Sequence, residues 1–263
     1  MHKFVDTHTH LFVEEFDADR DAAVERAVEA GVTRLCLPCI NITSIEPIKA
    51  MCEKHKGVCY PMIGLHPTDV KEDYKSQLSQ MRSMLAGDNS FIAVGEVGLD
   101  FYWDTTYRQL QFDALEEQIA WAREFDLPLV IHSRSASDEL YEVMDKHRGE
   151  SLRGIFHCFS GDADEARRLL SLDGFMLGIG GTLTYKKSIL PSVLREAVPL
   201  ERVVLETDSP YLAPVPFRGR RNESAYVPQI AEFLSEIYNV SDKYIAEVTT
   251  ANAESVFTKM IQL

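Results

Sequence analysis

Apolar runs alternate with amphipathic stretches along most of this chain. Phe4-Val5 leads into a helical pattern from Asp19 to Ala30, which Gly31 stops. Leu35-Cys36-Leu37 precedes a helix over Ser44 to Lys54, with Pro47 suited to its first turn. Val58 to Leu65 reads as the next strand and Tyr74 to Leu85 as the next helix. Phe91 to Val97 predicts a strand bounded by Gly98, and Thr106 to Phe125 a long helix ending before Pro128. Leu129-Val130-Ile131, Gly154-Ile155-Phe156, Phe175 to Leu177 and Arg202 to Leu205 predict the remaining strands. Ala136 to Lys146, Asp162 to Leu172 and Ser188 to Ala197 predict the helices between them.

Eight strand candidates, each followed by a helix candidate, indicate an α/β fold with a parallel sheet. Eight units fit a closed (β/α)8 TIM barrel, which takes about 250 residues. A doubly wound open sheet is the runner-up. After Leu212 the rhythm changes to an irregular loop through Asn222, and three helical segments follow. No linker or low-complexity tract interrupts the pattern, so residues 1–263 read as a single barrel domain with extra C-terminal helices.

Composition narrows the functional classes. The formal net charge of −14 argues against an extended non-specific nucleic-acid face, which needs a basic surface. It leaves room for a nucleic-acid or phosphate substrate, because bound metal ions can supply positive charge locally. No apolar run approaches the ~20 residues of a membrane span, and the first residues do not resemble a signal peptide. Five cysteines cannot all pair and have no framework spacing, which points to a reducing compartment and the cytoplasm. Cys36-Leu-Pro-Cys39 has redox-motif spacing, but no second such motif follows.

Chemistry in a barrel gathers where strands end and helices begin. His8 and His10 follow the first strand candidate; side chains two apart on an extended strand leave it on the same side. His66 follows the third, Glu96 lies in the fourth, His132 ends the fifth, His157 the sixth, and Asp208 follows the eighth. Five of the eight histidines thus sit just past apolar runs, where helix surfaces would be cheaper. Glu96 among valines and glycines is costly unless it is paired or coordinated. Any one of these residues has an ordinary structural explanation; their joint placement suits a metal site.

Asp-Thr-His-Thr-His-Leu, Gly-Glu-Val-Gly-Leu-Asp, Ile-His-Ser-Arg, Phe-His-Cys-Phe-Ser-Gly and Leu-Glu-Thr-Asp-Ser-Pro resemble the successive signatures of the TatD family. The resemblance runs from Asp6 to about Val227, including the Arg-Gly-Arg-Arg-Asn-Glu loop. It implies a metal-dependent deoxyribonuclease of the amidohydrolase superfamily. Some members lack the first His-x-His pair; this chain keeps it, which favours a two-metal centre. The resemblance implies that His8, His10 and Asp208 hold one divalent ion, that His132 and His157 hold the other, and that Glu96 bridges them. Where many superfamily relatives bridge with a carboxylated lysine, a plain carboxylate serves here. The two ions and two carboxylates leave the site at about +2, which favours an anion such as a phosphodiester. Zinc suits four imidazoles, with manganese or magnesium also open.

On this reading Glu96 and Asp208 are catalytic, with Asp208 orienting a water shared by ions ~3.5–4 Å apart and accepting its proton. His66, Arg134, Tyr102, Arg218 and Arg220 are substrate-binding candidates: an imidazole and guanidinium groups for phosphate, and with Trp103 an aromatic surface for a base. Arg221 belongs to the same basic loop, read as a lid or phosphate contact. Asp6 shares strand parity with His8 and could support its imidazole. His2, His55 and His147 read as surface residues. The expected partners are DNA ends or single-stranded DNA, with the chain as a monomer. The alternative is a metal-dependent deacylase of D-aminoacyl-tRNA or another ester or amide hydrolase; a binding module with a relic site is the third reading.

Overall fold

The computed structural model describes residues 2–262. Eight parallel strands run through it in sequence order: β1 (Phe4–Asp6), β2 (Val32–Leu37), β3 (Cys59–Pro61), β4 (Val94–Asp100), β5 (Leu129–Arg134), β6 (Gly154–Phe156), β7 (Phe175–Ile179) and β8 (Val203–Leu205). β1 to β3 pair in order, as do β4 to β8. Two seams join these ladders into a closed barrel. Between β3 and β4, the Ile92 N–H donates to the Pro61 carbonyl (2.9 Å) and the Gly95 N–H to that of Ile63 (2.9 Å). Between β1 and β8, the Thr7 N–H donates to Leu205 (3.0 Å), Asp208 to His8 (2.9 Å) and His10 to Ser209 (2.8 Å).

The outer layer is α1 (Arg20–Glu29), α2 (Ile45–Lys54), α3 (Tyr74–Gly87), α4 (Arg108–Glu124), α5 (Ser137–Lys146), α6 (Ala163–Leu170), α7 (Leu190–Ala197) and α8 (Val227–Tyr238). Inside, Val5, Cys36, Tyr60, Val130, Ile155, Met176 and Val204 form one cluster with Ile92 and Ala93, just ahead of β4. Ala253, Val256, Phe257 and Met260, from α9 (Asp242–Val256) and the turn after it, join that cluster. The same segment bonds to residues that precede or begin strands: the Thr250 hydroxyl donates to the Lys3 carbonyl, and the Asn252 amide to those of Leu200 and Val203. The C-terminal segment is therefore the floor of the barrel, leaving the opposite mouth to the histidines. The three helical segments expected after Leu212 are α8, α9 and a 3-10 turn (Thr258–Ile261), preceded by a further 3-10 turn (Ser224–Tyr226).

The fourth strand differs from its expected bounds. It runs from Val94 to Asp100 and passes through Gly98 instead of stopping there. Gly98 has φ +143, and a Cβ on it would stand 2.0 Å from the His132 carbonyl oxygen. Only a bare α-carbon lets β4 and β5 approach this closely. The register also slips between Gly95 and Val97, so that Glu96 is the extra residue of a β-bulge.

Cys36 and Cys39, spaced like a redox pair, do separate structural work. Cys36 is buried among the interior residues, whereas the Cys39 thiol donates to the Asn41 carbonyl (3.2 Å). Burial pushes the Cys39 thiol up to about 12 and Cys36 well above its ordinary value, so neither is a thiolate nucleophile. All five thiols are free. Among the described residues no helix is long and apolar enough to cross a membrane.

Arg221, expected at a lid or phosphate, instead ties the loop after β8 to the start of α1. Its guanidinium donates to both Asp19 carboxylate oxygens (2.6 and 2.9 Å) and lies 4.2 Å above the Phe16 ring. Hydrogen bonds from Arg221 outweigh burial and, with Arg26, hold the Asp19 carboxyl well below the usual range.

Two outcomes are expected from these contacts. Gly98→Ala should lower stability in urea unfolding by about 2–4 kcal/mol, because β5 must move off β4; a loss within error of zero contradicts the close approach. Asp19→Asn should lower it by about 1 kcal/mol at neutral pH, the pair being partly solvated. A depressed carboxyl stabilises fully above its unfolded pKa and loses that effect as pH falls towards its folded value. The difference between wild type and Asp19→Asn should accordingly shrink below about pH 4.

Candidate metal centre

Strand ends deliver the polar side chains to one mouth of the barrel. His8 and His10 lie just beyond β1, His66 beyond β3 and His157 directly after β6, while Glu96 and His132 lie within β4 and β5 and Asp208 beyond β8. The bulge turns Glu96 into this mouth, and the Cys39 backbone brackets it: the Glu96 N–H donates to the Cys39 carbonyl (3.0 Å) and the Cys39 N–H to that of Gly95 (2.9 Å). Glu96 is 2% exposed.

The two oxygens of Glu96 divide the histidines into two groups. Oε2 faces His8 Nε2 (3.2 Å) and His10 Nε2 (3.6 Å), and Asp208 Oδ1 stands 3.7 and 3.4 Å from the same two nitrogens. Oε1 faces His157 Nε2 (2.8 Å), His132 Nδ1 (2.9 Å) and His66 Nε2 (3.3 Å). The His8 and His157 rings stack across the divide at 3.9 Å. All six residues expected to hold metal thus converge on one place, and His66 joins them more closely than a peripheral phosphate contact would.

Proton positions follow from the partners on the far side of each ring. The Thr68 N–H donates to His66 Nδ1 (3.1 Å), so neutral His66 carries its proton on Nε2 and donates it into the site. Asp100 Oδ2 accepts from His132 Nε2 (3.0 Å), which leaves His132 Nδ1 as a lone pair. That lone pair meets Glu96 Oε1 and His157 Nε2, the latter at 3.2 Å. His8 Nε2 and His10 Nε2 face each other at the same separation. Lone pairs that converge in this way are satisfied by a cation between them, and imidazole with carboxylate is a donor set for a divalent first-row ion. The residues fit the metals that the sequence implies.

Charge is unevenly distributed over the cluster. Burial alone would raise the Glu96 carboxyl, but His157, His66, His8 and His132 hold it well below the carboxylate range. Burial pushes His8 and His66 down, keeping them neutral. For His132 and His157 burial is outweighed: Asp100 and Glu96 raise the first, and Glu96 and Glu206 raise the second well above its ordinary value. Burial would raise Asp208, but His10, His157 and His8 lower it.

Three supporting carboxylates complete the arrangement. Asp100 orients His132 as above. Glu206, fully buried, accepts the Cys158 N–H (2.6 Å), and its Oε1 stands 3.6 Å behind His157 Nδ1. A Cβ on Gly178 would lie 2.1 Å from the other Glu206 oxygen, so the bare glycine makes its room. Neither carboxylate was singled out from sequence, although both lie inside the quoted motifs as acids in apolar runs. Asp6 corrects an expectation: it supports backbone, not imidazole. It accepts the Thr207 hydroxyl (2.6 Å), the Thr207 N–H (3.0 Å) and the His8 N–H (3.3 Å), and burial raises its carboxyl to about 7. It thereby pins β1 to β8 between His8 and Asp208.

The mouth opens into a cavity of about 690 Å³ lined by His10, His66, Glu96, Trp103, His132, Arg134, His157 and Asp208, among others. The Arg134 guanidinium carbon lies 3.9 Å from the centre of the Tyr102 ring, so Tyr102 braces the arginine without itself lining the cavity. Arg218 borders a neighbouring recess, and Arg220 is exposed and lines neither. His55 and His147, expected at the surface, are largely covered and pair with Asp21 and Glu116 away from the mouth. His2 is exposed.

Known proteins resemble this chain in sequence and in fold. The family model for TatD related DNase matches residues 5–258. An uncharacterized metal-dependent hydrolase of Bacillus subtilis, YabD, is 35% identical over 252 residues, covering 96% of this chain and 98% of that protein. A Pantoea ananatis protein named 3'-5' ssDNA/RNA exonuclease TatD is 30% identical over 96% of this chain and 98% of its own length. The crystal structure of the TatD homologue YJJV from Escherichia coli superposes with a TM-score of 0.90 at 30% identity, covering 97% of this chain and 98% of that one. With its barrel mouth of histidines around one buried glutamate, the chain belongs to the TatD family of metal-dependent hydrolases.

Proposed function

We propose that this enzyme hydrolyses phosphodiester bonds at the ends of DNA or in single-stranded DNA through a centre of two divalent ions. The observation that carries the reading is the division of the Glu96 oxygens between two nitrogen groups. His8, His10, Asp208 and Glu96 Oε2 would hold one ion; His132, His157 and Glu96 Oε1 would hold the other. Ions bound there would lower the pKa of a water and stabilise charge on the attacked and leaving oxygens. Zinc suits the imidazole-rich shell, with manganese and magnesium as alternatives.

The chain's own groups supply the rest. Asp208 lies at the cavity edge of the cluster, where it would orient the attacking water and take its proton. His66 presents an N–H and would donate to a phosphate oxygen rather than ligate a metal. Arg134, braced by Tyr102, presents its N–H fork to the same cavity for a second phosphate oxygen. A concave cavity rather than a long groove suits a strand end, and a relative named as a 3'-5' exonuclease on single-stranded DNA and RNA supports an exonucleolytic reading. Five free thiols and the lack of a membrane-crossing helix among the described residues are compatible with a cytoplasmic enzyme.

Purified protein supplied with zinc, manganese or magnesium in turn should degrade single-stranded oligonucleotides, and His132→Ala should lower the rate by at least about a hundredfold. Intact oligonucleotides alongside hydrolysis of D-aminoacyl-tRNA would transfer the reading to the carboxyl-ester alternative. Metal content gives an independent check. His8→Ala/His10→Ala should retain about one ion per chain in place of two, while Asp100→Asn should weaken binding by roughly 10–100-fold at the His132 position. Equal content and affinity in all three proteins would refute the ligand assignment. Because His132 and His157 have raised pKa values, protons compete for their nitrogens. Occupancy should therefore decline as pH falls and be restored as it rises.

A further inference from the structure

Beside the metal cavity lies a second recess of about 470 Å³, formed by Tyr185, Lys186, Lys187, Ser188, Ile189, Leu190 and Arg218. Ser160 and Thr182 line both spaces, so the two are adjacent. We infer that this recess is a phosphate subsite, holding a further nucleotide of a single strand whose end is cleaved at Glu96. The inference rests on the phosphodiesterase reading above and extends it to the path of the strand.

Charge is the first argument. The chain carries 41 acidic and 27 basic residues, and most of its arginines are matched with carboxylates, as in Arg108–Glu139, Arg167–Glu196 and Arg168–Asp138. Arg221, in the same loop as Arg218, is consumed by Asp19. Lys186, Lys187 and Arg218 have no carboxylate partner among the described residues. Most lysines elsewhere on the chain are also unmatched, so it is the gathering of two of them with Arg218 around one recess that marks a place for an external anion.

Preorganisation is the second. The Arg218 guanidinium lies 4.1 Å above the Tyr185 ring, and the Tyr185 hydroxyl donates to the Ala213 carbonyl (3.1 Å), which fixes that ring. A guanidinium that rests on a ring and has no carboxylate partner keeps N–H groups free for a phosphate. The Val215 N–H donates to the Thr184 hydroxyl (2.8 Å), tying the loop that carries Arg218 to the turn (Gly181–Thr184) that leads to the lysines. The two basic walls therefore keep a fixed separation.

The recess also has an apolar edge. Ile189 is 53% exposed there, and a base can rest against it while its phosphate meets the cations. A phosphate with an attached base fits this combination better than an isolated anion does. The patch is short, so it guides one strand towards the metal cavity without making the whole surface sticky to nucleic acid.

The test uses the metal-loaded enzyme and the variant Lys186→Gln/Lys187→Gln/Arg218→Gln. Binding of a phosphorothioate single strand is followed by fluorescence anisotropy over a salt series, and kcat/KM is measured on a longer strand and on a dinucleotide. The variant should bind the strand roughly tenfold more weakly at low salt, with the log–log salt slope shallower by about 2. Its kcat/KM should fall roughly tenfold further on the strand than on the dinucleotide, mainly through KM. Lys186→Arg/Lys187→Arg should keep wild-type binding, which separates lost charge from damage to the fold. Unchanged strand affinity and salt slope in the triple glutamine variant, with the wild type still cleaving both substrates, would overturn the subsite while leaving the metal-centre reading intact. A wild type that cleaves neither substrate would overturn that reading, and the subsite with it.

Discussion

A carboxylate that is 2% exposed inside a barrel mouth is the constraint around which this protein is arranged. An ionised group in that position is far too costly to leave alone, and here it is surrounded by imidazoles on both of its oxygens. The backbone makes the placement possible. A bulge turns Glu96 inward, the Cys39 peptide bonds to its backbone on one side, and bare Gly98 lets the strand carrying His132 come close on the other. Sequence, strand register and chemistry are thus one problem at this position: a slip that restored ordinary pairing would remove the carboxylate that the two histidine groups share.

The rhythm of eight strand–helix units was legible because apolar periodicity is local, and so were the residues at the strand ends. What escaped the sequence depended on approach across the fold. Asp100 sits four residues beyond Glu96, but only its contact with the far nitrogen of His132 shows its purpose. Glu206 became meaningful once Gly178 was seen to give it room behind His157. Asp6 has the parity expected of an imidazole support, yet backbone N–H groups and a threonine hydroxyl reach it first. The terminal bound of β4 was misjudged because glycine usually ends an element, whereas Gly98 serves a close approach inside one. The floor formed by α9 was likewise hidden, since amphipathic spacing does not say which surface a helix covers.

The basic loop after β8 shows why charge density along a sequence is a poor guide to where charge acts. Its three arginines lie within four residues and have three different environments. Arg221 fastens the loop to α1, Arg220 is exposed, and Arg218 stacks on Tyr185 beside the cavity. The structural use of one cation fixes the position of another. Carboxylates pair with most of the arginines of this acidic protein, whereas Arg134 and Arg218, left unmatched, border the cavity and the recess beside it.

The two halves of the centre are not equivalent, and the difference lies behind the ligands rather than among them. His132 is backed by Asp100 at hydrogen-bonding distance, and Glu206 stands behind His157. The outward nitrogens of His8, His10 and His157 have no hydrogen-bond partner among the described residues, Glu206 standing 3.6 Å from that of His157. A carboxylate behind a ligating imidazole fixes its tautomer and strengthens its basicity. On the proposed assignment, His132 is thus oriented for a cation before one arrives. The His8–His10 half relies on Asp208, which also faces the cavity where substrate would enter. One half then has the features of a permanent anchor. The other couples its metal directly to the residue that would handle the attacking water, so changes at Asp208 should be felt by chemistry and metal binding together.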